Sequence, residues 1–128
     1  MPEYGYSKKL NIPFAEAVEK TIAAFKNEGF GVLTDIDVKK SLREKINVDF
    51  KEYRILGMCS PQRAYHALQI EEEIGLLLPC NVIVYKKDEG AVAAAINPKV
   101  AFSIVDNPEL ESLANEVDII IKKVIYSL

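Results

Sequence analysis

Cys80-Asn-Val-Ile-Val-Tyr-Lys-Lys-Asp-Glu-Gly-Ala-Val-Ala-Ala-Ala-Ile96 decides how the chain folds. From Cys80 to Lys86, Val82 and Val84 alternate with Ile83 and Tyr85. This period of two is that of a strand, and apolar residues on both faces place the strand centrally in its sheet. Asp88-Glu89-Gly90 reads as a hairpin turn, with Gly90 expected to supply the positive φ. Ala91–Ile96 is the returning strand. Its small side chains imply that another element packs tightly over it.

Working outward, Tyr4–Leu10 alternates rings with polar residues and reads as a strand with one exposed face. Pro13 opens a helix that carries Phe14, Ala17, Val18, Thr21, Ile22 and Phe25 at helical spacing and stops near Glu28, with Gly29 following. Phe30–Thr34 is a short strand, Asp37 caps a short helix carrying Val38, Leu42 and Ile46, and Asp49–Met58 is the next strand. Ser60-Pro61 marks a helix start, in which the serine hydroxyl is expected to accept from a free N–H. Ala64, Ala67, Leu68 and Ile74 give this helix a narrow apolar stripe, so that it sits close on the sheet, and Gly75 ends it. Residues 100–105 fit either a short helix or a strand. Asn107-Pro108-Glu109 caps a last helix with Leu110, Leu113, Ala114, Val117, Ile120, Ile121 and Val124 on its apolar face. The order is β-α-β-α-β-α-β-β-α.

The chain has 128 residues, which suits one domain over 1–128 and is too short for two ordinary ones. A 49% hydrophobic and 27% charged composition is that of a globular core former rather than a disordered chain. The net charge of −3 comes from interleaved acids and bases. No basic stripe is visible, so no nucleic-acid partner is expected. Met1–Leu10 has no apolar signal core, and Val117–Ile121, interrupted by Asp118, is too short to span a bilayer. No membrane partner is expected, the cytosol is the expected compartment, and the two cysteines there should be reduced.

Tyr53-Arg-Ile-Leu-Gly-Met-Cys-Ser-Pro61, Ala64, Ala67-Leu68, and Gly75-Leu-Leu-Leu-Pro-Cys-Asn-Val-Ile-Val-Tyr85 resemble the family called domain of unknown function 302. So does Gly29-Phe-Gly-Val-Leu-Thr-Asp-Ile-Asp-Val38. The resemblance keeps its order over nearly the whole chain. It implies an α+β fold of the TATA-box-binding-protein-like kind, with a curved, mainly antiparallel sheet and helices on one face. It implies no activity. Asn is common in the family where Ser60 stands between Cys59 and Pro61, and either residue can cap a helix.

Cys59 is the sharpest chemical candidate. It precedes a helix start, and Arg63 lies about one turn on, so both the helix dipole and the guanidinium would favour a thiolate. The plainer reading is a small apolar side chain at a strand end. Cys80, after Pro79, reads as a core thiol. The helix between the two would carry the chain on the order of 20 Å, so the sulfurs are expected to lie apart. With Ser60 and Arg63 these cysteines form the candidate ligand-binding set. Cys-x₂-Cys spacing is absent, so no zinc or thioredoxin-type site is expected. His66 reads as a surface residue, out of reach of Cys59. Asp35 and Asp37 could chelate a hard cation but are better explained as a turn acid and a helix cap. Glu71-Glu72-Glu73 reads as a solvated run. No metal or cofactor is implied. Tyr4, Tyr6, Tyr53 and Tyr85 point to an aromatic sheet face.

The leading reading is a homodimerising binding module that takes a small ligand or protein. The alternative is a thiol-dependent enzyme or redox sensor using Cys59. A metal-dependent hydrolase using Asp35 and Asp37 comes last.

Overall fold

The structure, a computed structural model, describes residues 3–128. Its elements are β1 (Gly5–Leu10), α1 (Phe14–Asn27), β2 (Gly31–Asp37), α2 (Val38–Ile46), β3 (Tyr53–Cys59), α3 (Pro61–Ile70), β4 (Cys80–Lys87), β5 (Gly90–Ile96), α4 (Pro98–Ala101) and α5 (Pro108–Ser127). Two 3-10 segments, Glu72–Leu77 and Phe102–Ile104, complete the chain. The strands form one sheet in the order β1-β5-β4-β3-β2, and each neighbouring pair is antiparallel. The fold is therefore α+β, with β4 at the centre as its two-faced apolar alternation requires.

The sheet registers set one face against the helices. Leu56 and Met58 on β3 stand opposite Val82 and Cys80 on β4, and Val84 and Val82 stand opposite Ala93 and Ala95 on β5. All these side chains are buried. Helix α1 packs across β4 and β5, and α5 across β5 and β1. The methyl groups of Ala91, Ala93 and Ala95 let α1 approach closely and bury Ala17, Val18, Thr21 and Phe25. Removing the Phe25 ring would cost about 3–5 kcal/mol. The opposite face carries Tyr53 opposite Tyr85 and Ile55 opposite Ile83, all half-buried. The two tyrosine rings stack at 5.5 Å.

Local chemistry explains most helix ends. Asp37 accepts from the Lys40 N–H at 3.0 Å, Asn97 from that of Lys99 at 3.0 Å, and Asn107 from that of Glu109 at 3.1 Å. Gly29, with φ of 84°, turns the chain out of α1.

Several expectations are corrected. Helix α3 stops at Ile70 rather than running to Gly75. Glu71 is extended, and Glu72 and Glu73 open a separate 3-10 segment. Continuing α3 would have stacked three acids on its negative end, whereas the break moves two of them to a new N-terminus. Ser60 does not cap α3 with its side chain. In the hairpin, Asp88 takes the positive φ of 55°, not Gly90. Gly90 answers a different need, because a side chain there would collide with the Leu10 carbonyl. For residues 100–105, where helix and strand both fitted, the chain takes the helical form, over residues 98–104. Strand β2 continues to Asp37, and β3 begins only at Tyr53. Among the described residues no helix is long and apolar enough to cross a membrane.

A part-buried polar bond ties the last helix to the edge strand. The Tyr6 hydroxyl donates to Asp118 Oδ1 at 2.6 Å, and Asp118 is buried. Burial, followed by this carboxylate, raises the Tyr6 phenol to about 12. Tyr6→Phe leaves the carboxylate without its donor and should lower unfolding stability by about 1–3 kcal/mol, read from urea titration. Because the folded value lies above the unfolded one, the phenol's contribution is complete below pH 10.0 and is lost as pH rises towards about 12. The wild type should therefore lose stability over that window more steeply than the Phe variant.

Candidate functional site

The site follows from how the chain leaves β3. Strand β3 ends at Cys59, Ser60 turns the backbone, and Pro61 fixes the first residue of α3. Helix α3 does not lie down on the sheet as its alanines suggested. It leans on α5 and on the 3-10 segment that follows it. The space between α3 and the end of the sheet is a cavity of about 410 Å³, within the range of small-molecule sites.

Its walls come from five parts of the chain. Met58, Cys59 and Cys80 form the sheet end. Ser60, Arg63, Ala64, Ala67 and Leu68 line the α3 side. Gly75, Leu78 and Pro79 belong to the returning segment, and Leu113 and Val117 to α5. Phe30, Leu33 and Phe102 close the remainder. Gly57 holds the sheet end in shape. A side chain there would meet the Thr34 hydroxyl and the Pro79 ring, so only glycine lets Pro79 sit at the rim.

All four residues of the sequence-derived candidate set, Cys59, Ser60, Arg63 and Cys80, line this one cavity. The cysteines were expected to be far apart, and that expectation is corrected. Met58 stands opposite Cys80, so Cys59 is one residue further on a neighbouring strand at the same end of the sheet. The break after Ile70 and the segment Glu72–Leu77 bring the chain back, which a continuous helix would not have done. The thiols are nevertheless both free. The cross-strand partner of Cys80 is Met58 and not Cys59.

The electrostatics run against a thiolate. Burial pushes the Cys59 thiol up from its ordinary value, and burial, then the neighbouring Cys59, pushes Cys80 to about 11. Arg63 was expected to favour the thiolate, but its guanidinium is engaged by other partners. Nε donates to Glu116 Oε2 at 3.3 Å and Nη1 to Ser60 Oγ at 3.2 Å, and the group lies 5.8 Å from the Phe30 ring.

The other candidates fall outside the cavity. His66 is exposed on α3. The Asp35 carboxylate takes both Nε and Nη2 of Arg54, which holds it below its ordinary value, while Asp37 caps α2. Glu72 and Glu73 are exposed. Sequence reasoning did not identify Phe102, Leu113 and Val117 as site residues. For Leu113 and Val117 the only signal was apolarity on a helical face, which every core residue of α5 shares, and Phe102 lies in a stretch that fitted either helix or strand.

The family described as Domain of unknown function DUF302 matches residues 6–128. The chain belongs to this family. A crystal structure of an uncharacterized conserved protein DUF302 from Bacillus stearothermophilus superposes with a TM-score of 0.89 at 26% identity, covering 98% of each chain. None of the curated proteins compared matches the chain. The family's description assigns no activity.

The raised thiols give a direct measurement. Alkylation of Cys59 followed across pH should show a midpoint above the ~8.5 of a free thiol, and Cys80 should react near pH 11 or on unfolding. A Cys59 midpoint at or below the free value would restore the thiolate reading.

Proposed function

We propose that this chain is a small-molecule-binding module whose ligand, mainly apolar, occupies the cavity between α3, α5 and the ends of β3 and β4. One observation carries the reading. The cavity is walled almost wholly by apolar side chains, and its polar groups cluster where β3 passes into α3. That division suits a ligand with an apolar body and one polar end. The neutral thiols belong to the wall and supply polarisable surface rather than a nucleophile.

A second reading concerns assembly. The sheet face away from the helices carries Ile55, Ile83 and the stacked Tyr53–Tyr85 pair, continued by exposed Ile36 and Phe50. Strands about 4.8 Å apart and rising about 3.3 Å per residue give a face of roughly 24 by 20 Å. That planar extent, about 480 Å², is smaller than the ~800 Å² per partner of a standard interface, so exposed Ile36 and Phe50 at its margin would have to join the contact. A second copy, packed face to face about a two-fold axis, is the occupant this reading proposes.

N-Phenylnaphthylamine, an uncharged dye that brightens in apolar surroundings, tests the cavity. Emission should rise on mixing with the wild type and stay low with Ala64→Phe, whose ring fills the space, at unchanged far-ultraviolet circular dichroism. Equal emission from both proteins would place the dye elsewhere and refute the reading. Light scattering of the wild type and Ile83→Lys tests the dimer: twice the monomer mass is expected for the first and the monomer mass for the second.

A further inference from the structure

We infer that the cavity's ligand is a carboxylate amphiphile, its apolar tail between α3 and α5 and its carboxylate on Arg63. The inference rests on the binding reading above and adds the chemistry of the ligand's head.

Arg63 is the one charged residue among those lining the cavity. A guanidinium carries five N–H groups in a planar fork. Glu116 takes one through Nε and Ser60 another through Nη1. The remaining N–H groups match the two oxygens of a carboxylate, which arginine binds with charge assistance and in a fixed plane. Ser60 adds a second contact. It is buried, its oxygen already accepts from Arg63, and its O–H proton can donate to a ligand oxygen. The thiols nearby are neutral, because burial raises both, so they do not repel an anion.

Charge decides between anions. Glu116 opposes any anion at Arg63, yet its side chain is 55% exposed, so solvent screens its charge. One guanidinium, partly offset in this way, suits a single negative charge better than the two of a phosphate monoester. The apolar walls then select for chain length. Each buried methylene should tighten binding about three- to fourfold until the space is full.

The test is displacement of N-phenylnaphthylamine from the wild type by octanoate, octanol and octyl phosphate. Octanoate should compete at about tenfold lower concentration than octanol, as a charge-assisted hydrogen bond predicts, and better than octyl phosphate. Arg63→Gln should still bind dye and octanol while losing the preference for octanoate. Glu116→Gln, which removes the competing carboxylate, should strengthen octanoate up to about fivefold. Equal competition by octanoate and octanol, a preference that survives in Arg63→Gln, or stronger competition by octyl phosphate would each overturn the carboxylate assignment and leave the cavity reading standing. Failure of the dye to bind the wild type would overturn both.

Discussion

The pairing of β3 with β4 is the constraint on which the rest depends. With Met58 opposite Cys80 and Leu56 opposite Val82, the fully buried residues of both strands fall on the helix side, while Tyr53, Ile55, Ile83 and Tyr85 face the other way. A slip of one residue would turn Val82 and Val84 outward and drive Asn81 and Tyr85 into the core. The same register fixes where β3 ends, and hence where Ser60 turns and α3 starts. It also sets Cys59 and Cys80 at one end of the sheet without aligning them for a bond. The cavity's position is therefore set first by sheet pairing, and the returning segment that carries Gly75, Leu78 and Pro79 completes its wall.

Much of this architecture was legible in the sequence because its causes are local. The alternation from Cys80 to Lys86 gives a strand wherever it lies, and its two apolar faces demand a central place. The caps at Asp37 and Asn107 act within three residues of themselves. Where causes are distant, the reading failed. The apolar stripe of α3 says only that something covers it, and both the sheet and α5 satisfy that. Ser60 has the chemistry of a cap, but Arg63 takes its oxygen. Gly90 was assigned a backbone role when its constraint is the approach of Leu10 from another strand.

The candidate site shows the same division. Cys59, Ser60 and Arg63 lie within five residues, so a strand end meeting a helix start could bring them together on sequence grounds alone. That Cys80 joins them depends on the break after Ile70, and that Leu113 and Val117 close the space depends on how α5 crosses the molecule. The electrostatic expectation for Cys59 rested on a dipole and a nearby cation. Burial outweighs them here, because desolvation acts on the sulfur directly while the cation is engaged by a carboxylate.

The alanines of β5 divide the molecule into a rigid half and an adjustable one. Where α1 packs on β5, the buried methyl groups of Ala91, Ala93 and Ala95 are what the strand presents to it. Any larger residue there must lift the helix. On the α3 side there is already vacant volume, so Ala64 and Leu68 can grow or shrink without shifting the sheet. Changes in side-chain size are thus absorbed at one end of the molecule alone, and a family of chains built on this plan could retune the shape of its cavity while its β-core stayed fixed.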